Sequence, residues 1–308
     1  MKKTVVVILF FVLLTSCEKK PLSICEGSKC EITGIFPGVV EISNETEREY
    51  CLLQSGDIKK IALPDSNTIP LAFSNDLKLM AAKTSQESSI KLSILNYSDG
   101  TVKQTVDLPE NFVSIQSGCF LNDMRFAFLH IDETADLARR YTISISTSPE
   151  LTDFDSYLIK EENPKEFFSN YLSLGSVVER PVSIQCSDSS LFLITDMIFS
   201  DMIQITVYNF NIEKRSLEYI TAYHPVDPEN KIDLFFNAED STLYIFNKHE
   251  LISVENNLFP ITRKFKEPGA VFFSPFTDRN GFTMFFIPDK AADKKEPFKT
   301  VDISELSE

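Results

Sequence analysis

Ala72-Phe73-Ser74-Asn75-Asp76, with the apolar run Leu77 to Ala82 behind it, recurs in altered form along this chain. It returns as Phe120-Leu121-Asn122-Asp123 before Met124 to Leu129, and as Cys186-Ser187-Asp188-Ser189 before Leu191 to Ile194. Phe236-Asn237-Ala238-Glu239-Asp240 then precedes Leu243 to Phe246, and Phe273-Ser274-Pro275 through Asp278 precedes Phe282 to Ile287. Each copy reads as the end of one strand, a polar hairpin turn, and a second strand apolar enough to be buried on both faces.

Outward from these units the pattern is period two. Ile90-Lys91-Leu92-Ser93-Ile94, Tyr141-Thr142-Ile143-Ser144-Ile145 and Ile203-Gln204-Ile205-Thr206-Val207 each place three apolar side chains on one face. These read as half-buried antiparallel strands, bounded by turns such as Gln54-Ser55-Gly56-Asp57 and Ser98-Asp99-Gly100. Helical periodicity is scarce, so the class is mainly β. The five units start 47, 66, 50 and 37 residues apart, with room for two further strands after each apolar run. Four strands per unit at such spacing predict the blades of a β-propeller, six by preference and five as the other count, with a β-sandwich as the alternative fold. Val39 to Leu63 supplies strands ahead of the first unit and is expected to complete the last blade.

The Phe-Ser-x-Asp and Phe-x-Asn-Asp turns resemble those of WD-repeat and TolB-type propellers over roughly residues 70 to 290. The resemblance is one of pattern, in a chain without Trp and with only 9 Gly. The 26 Phe residues are expected to fill the core between blades.

The N-terminus carries Lys2 and Lys3, an apolar stretch from Val5 to Leu14, and the small residues Thr15 and Ser16 before Cys17. The apolar stretch is too short to span a bilayer and reads as a removable export signal. Leu14-Thr15-Ser16-Cys17 resembles the lipobox of bacterial lipoproteins, which implies cleavage before Cys17 and acylation of its thiol and new amino group. Two or three acyl chains anchor a protein stably where a single one does not. The expected layout is a signal peptide at 1–16, a lipidated Cys and tether at 17–34, and one propeller-like domain at 35–308. The expected location is the cell envelope, at the outer membrane on the exported side.

The formal net charge is −15, and processing removes two lysines more. Nucleic acid is therefore excluded as a partner, because its binding rests on Lys and Arg displacing counterions. Membrane contact falls to the lipid. With Cys17 acylated, Cys25, Cys30, Cys51, Cys119 and Cys186 remain, an odd number whose disulfide pairing spacing does not assign. No fourfold set of close Cys and His supplies a zinc site. No metal or cofactor is expected.

His130, His224 and His249 lie far apart, and none stands in a nucleophile-elbow or metal-binding spacing; His224, before Pro225, reads as a loop residue. The acidic runs Glu41, Glu45, Glu47, Glu49 and Asp132, Glu133, Asp136 read as solvated faces. No catalytic residue is expected. The longest unit holds Asn163-Pro164-Lys165-Glu166-Phe167-Phe168-Ser169-Asn170-Tyr171-Leu172, which reads as a short capped helix inserted on one face. Phe167, Phe168 and Tyr171 are the candidate surface for an unknown protein partner. The functional expectation is a lipid-anchored, non-enzymatic binding or scaffolding module. A surface adhesin for host proteins and a lipid-anchored hydrolase of glycan or peptide are the alternatives.

Overall fold

The computed structural model describes most of residues 31–301; residues 1–30, 302–308, 163–178, 226–232, 275–282 and 289–298 and several short turns lie outside the described residues. The expected insert helix at 163–172 thus lies outside them. No helix occurs among the described residues, and the strands form six successive antiparallel sheets, each a simple meander. The first holds β1 (Glu31–Phe36), β2 (Val39–Ser43), β3 (Arg48–Gln54) and β4 (Asp57–Lys60). The second holds β5 (Thr68–Phe73), β6 (Leu79–Gln86), β7 (Ser89–Asn96) and β8 (Val102–Val106). The third holds β9 (Phe112–Phe120), β10 (Phe126–Glu133), β11 (Arg139–Ser146) and β12 (Phe154–Glu162). The fourth holds β13 (Glu179–Ser187), β14 (Ser190–Phe199), β15 (Met202–Asn211) and β16 (Ser216–Tyr223). The fifth holds β17 (Asp233–Asn237), β18 (Thr242–Phe246), β19 (Glu250–Glu255) and β20 (Ile261–Lys264), and the sixth β21 (Gly269–Ser274), β22 (Thr283–Pro288) and β23 (Lys299–Val301).

All five repeated turns fall at the same place, between the first and second strands of a sheet. The apolar runs behind them become β6, β10, β14, β18 and β22. Where side chains are described, these second strands are the most buried, whereas the strands that meet between sheets are the first ones, β5 with β9, β9 with β13 and β13 with β17. Val39 to Leu63 does not extend the sixth sheet: β1 to β4 pair only with one another and form a sheet of their own. β1 opens at Glu31, inside the stretch expected to be tether.

Sheets stack face to face, which explains why alternation under-reports burial. Phe126 and Phe128 of β10 pack on Leu71, Leu79, Leu92 and Ile94 of the second sheet, while Ala127, Leu129 and Ile131 pack toward Ile184, Leu191 and Leu193 of the fourth. Each large side chain so buried contributes about 1.5–3 kcal/mol. The expectation of a half-buried strand fails at 141–145 for the same reason, since all five residues there are buried, whereas Lys91 in the 90–94 stretch is exposed as expected. Gly118 opposes Phe128 on β9, and a Cβ there would come within 2.6 Å of the Phe126 ring, so the missing side chain seats that ring.

The low glycine content is compatible with tight hairpins because other residues take up the left-handed backbone. Met124, Leu137 and Leu151 close the three turns of the third sheet at φ 67°, 62° and 60°, and Arg215 closes the β15–β16 turn at 52°. Each such residue stores on the order of 1 kcal/mol of strain that its sheet must offset. In the β7–β8 turn Gly100 takes this role at φ 69°, while Asp99 accepts hydrogen bonds from the Thr101 hydroxyl and amide, which lower its pKa.

Candidate functional site

Two polar networks lie on opposite faces of the third sheet, one crossing β10, β11 and β12 and the other at the end where β12 leaves for β13. The first lies on the face toward the second sheet. His130 is 2% exposed, with its ring among Phe112 and Phe128 at centroid distances of 5.9 and 5.1 Å. Its Nδ1 lies 3.0 Å from Asp132 Oδ1 and its Nε2 lies 2.8 Å from Ser144 Oγ. Ser144 Oγ is in turn 2.8 Å from Ser156 Oγ, directly across the β11–β12 pairing. Asp132 and Ser144 are buried and Ser156 is exposed, so the chain of polar groups runs from the interior to the surface. Burial lowers the His130 pKa, with Asp132 opposing in part, which favours the neutral imidazole.

The second network lies toward the fourth sheet and brackets the 163–178 segment. Lys160 Nζ donates to Glu162 Oε1 at 2.8 Å and also to the Glu179 carbonyl, tying the last residue of β12 to the first of β13. Tyr141 donates to Glu162 Oε2 at 3.3 Å, and burial together with that carboxylate raises its pKa to about 12. Glu179 Oε1 accepts from Thr195 Oγ1 at 2.5 Å and from the Tyr208 hydroxyl at 2.9 Å. Burial and Glu179 raise Tyr208 to about 12 as well. Beside them Arg180 grips Asp196 through two bonds of 3.0 and 2.8 Å, and the Asp196 bonds raise the guanidinium pKa. Both glutamates are thus occupied by donors from their own chain. Below this lattice Cys119 and Cys186 form a disulfide between β9 and β13, bridging 67 residues of sequence.

Several sequence expectations are corrected here. Asp132 and Glu49 are not part of solvated faces: Asp132 is buried against His130, and Glu49, 7% exposed, pairs with Lys60. Both carboxylates tolerate burial because a partner sits within hydrogen-bond reach. Asp136 is exposed as expected, and His224 is an exposed loop residue bonded to the Ile203 carbonyl. His130, Asp132 and a serine come together within one sheet, where the sequence offered only distant histidines. The signal was present in Phe128-Leu129-His130-Ile131-Asp132, whose alternate residues share a face; what covers that face was not readable. Cys17, Phe167, Phe168 and Tyr171 lie outside the described residues, as do Cys25 and Cys30.

No protein-family model and no curated protein sequence matches the chain. Solved structures do. The sialidase Hz136, described as Hadza microbial, superposes with a TM-score of 0.52 at 9% identity, over 91% of this chain and 66% of that one. The gluconolactonase XC5397 from Xanthomonas campestris superposes with a TM-score of 0.50 at 11% identity, over 84% of this chain and 82% of that one. TolB from Acinetobacter baumannii gives a TM-score of 0.42 at 10% identity, over 86% and 60%. The sheets, together with the likeness to the sialidase and the gluconolactonase, define a mainly β protein of propeller-type fold. Identities this low speak to the fold alone.

Proposed function

We propose that this protein is a lipid-anchored envelope protein, held through acylated Cys17, whose six sheets close into a ring that presents a partner-binding surface. The observation that carries the reading is the clamp at the neck of residues 163–178: Lys160 joins Glu162 to Glu179, and Thr195, Tyr208 and Tyr141 hold those two glutamates. These bonds hold together the described residues that flank 163–178, which supports taking Phe167, Phe168 and Tyr171 as the partner contact. Contact of β1 with β21 supports closure of the ring. The Cys119–Cys186 disulfide supports an exported location, since such bonds persist in oxidising compartments. The partner is a protein, engaged without nucleic acid, metal or cofactor.

Metabolic labelling with a fatty acid tests the anchor: label is expected on the native chain and lost in Cys17→Ser. Affinity capture from the envelope tests the surface. Deleting 163–174 is expected to abolish capture in a chain whose disulfide and circular dichroism are unchanged, and undiminished capture would sink the assignment. Protease accessibility on intact cells separates an inward-facing scaffold from a surface adhesin.

A further inference from the structure

We propose that Ser156 is a nucleophilic serine, activated through Ser144, His130 and Asp132, that accepts an acyl group from small hydrophobic activated esters. This goes beyond the binding role and stands or falls independently of it.

The direction of the hydrogen-bond chain follows from its inner end. A carboxylate only accepts, so Asp132 fixes the proton of the neutral imidazole on Nδ1 and leaves Nε2 with a free lone pair. Ser144, 2.8 Å away, therefore donates its single hydroxyl proton to Nε2, which leaves its oxygen to accept from Ser156 at 2.8 Å. The last member of the chain, Ser156, points its proton inward and its lone pairs outward. Ser144 and His130 are 3% and 2% exposed, so a reagent reaches only the outer hydroxyl. On the same face of β12 stand Phe154 and Leu158, the latter 58% exposed, which offer apolar contact to a short acyl chain.

In the step, Ser156 Oγ forms a bond to the ester carbonyl carbon as its proton passes to Ser144 Oγ and the Ser144 proton passes to His130 Nε2. The imidazolium is held beside Asp132. Collapse of the tetrahedral adduct breaks the bond to the alcohol oxygen, and that leaving group recovers the proton through the same hydroxyls. The products are a Ser156 ester and the free alcohol. Ser156 is the group that touches the substrate; Ser144 and His130 act through it as relay and positioning residues.

Incubating the folded full-length protein with p-nitrophenyl butyrate, and mapping the adduct by peptide mass, tests this. The expected result is a burst of about one equivalent of p-nitrophenol, as an accumulating acyl-enzyme requires, with the adduct on Ser156. Ser156→Ala, an exposed change that leaves the fold intact, is expected to remove the burst. Ser144→Ala is expected to slow it about a hundredfold, the order of general-base assistance, and to remove its solvent deuterium isotope effect. Adduct on another residue, a rate equal to that of the urea-unfolded chain, or an unchanged rate in folded Ser144→Ala would each overturn the proposal.

Discussion

The third sheet packs against a neighbour on each face, and the two interfaces are held by different chemistry. Toward the second sheet the third presents stacked rings of its own strands to the aliphatic Leu71, Leu79, Leu92 and Ile94. Phe126 lies 5.0 Å from Phe120 and 5.7 Å from Phe128, Phe128 meets Phe154 at 5.4 Å, and the stack ends on His130. Toward the fourth sheet the contact is cross-linked, by the Cys119–Cys186 disulfide, by the Ser117 hydroxyl accepting the Ile184 amide at 2.7 Å, and by the Lys160 clamp. The lengths of the connections match this contrast. Only residues 107–111 join β8 to β9, whereas residues 163–178 separate β12 from β13. A longer connection loses more entropy on closure, and the cross-links toward the fourth sheet offset that loss; toward the second sheet Gln104 Nε2 donates to the Leu151 carbonyl at 2.8 Å beside the packing.

The largest effect is expected at the aromatic interface. Phe126→Ala, at a fully buried ring, is expected to destabilise by about 4 kcal/mol in urea unfolding. A loss under about 1 kcal/mol would mean that the stack does not hold these sheets together. Replacing both Cys119 and Cys186 by Ser is expected to remove about 3 kcal/mol, read as the midpoint shift against the oxidised protein, with reductant reproducing it. Gly118→Ala drives a methyl into the Phe126 ring and is expected to lose about 2 kcal/mol, more than the same change at an unobstructed strand glycine.

The polar end of the aromatic interface sets a pH dependence. The folded-state pKa of His130 lies below the ordinary imidazole value of about 6.5, so above that pH both states are neutral and the contribution is flat. Below it the unfolded chain takes up the proton first, and stability falls by at most about 1.4 kcal/mol per pH unit until the folded value is reached. In His130→Gln the slope between pH 6.5 and 5 is expected to be shallower than in the native chain; equal slopes would remove His130 from the account. The smallest effect carries the opposite sign. Leu137 is 62% exposed at φ 62°, so Leu137→Gly relieves strain and is expected to stabilise by about 0.5–1 kcal/mol, visible in the thermal midpoint.

Much of the fold was legible because its signals are local. The turns at Phe73, Phe120, Cys186, Phe236 and Phe273 all mark the same hairpin, and the alternating stretches at 90–94, 141–145 and 203–207 all lie in third strands. Less of the site was legible. Ser144 and Thr142 look like the wet side of a half-buried strand, yet both are buried because another sheet covers that side. Asp132 reads as one acid in an acidic run until His130, two residues before it on the same face, is seen to claim it. Cys186 stands where the other repeats place Phe, a hint of special use that names no partner.

The amino-acid sequence by itself determined the class, the repeating unit, the net negative charge and the expectation of an acylated Cys17, since each depends on residue type and on neighbours a few positions away. Only the tertiary structure decided that β1 to β4 stand as a separate sheet, that Cys119 finds Cys186, and that His130 links Asp132 to Ser144. Those outcomes depend on which sheet faces which. Periodicity reports the direction in which a side chain points and carries no information on what waits there.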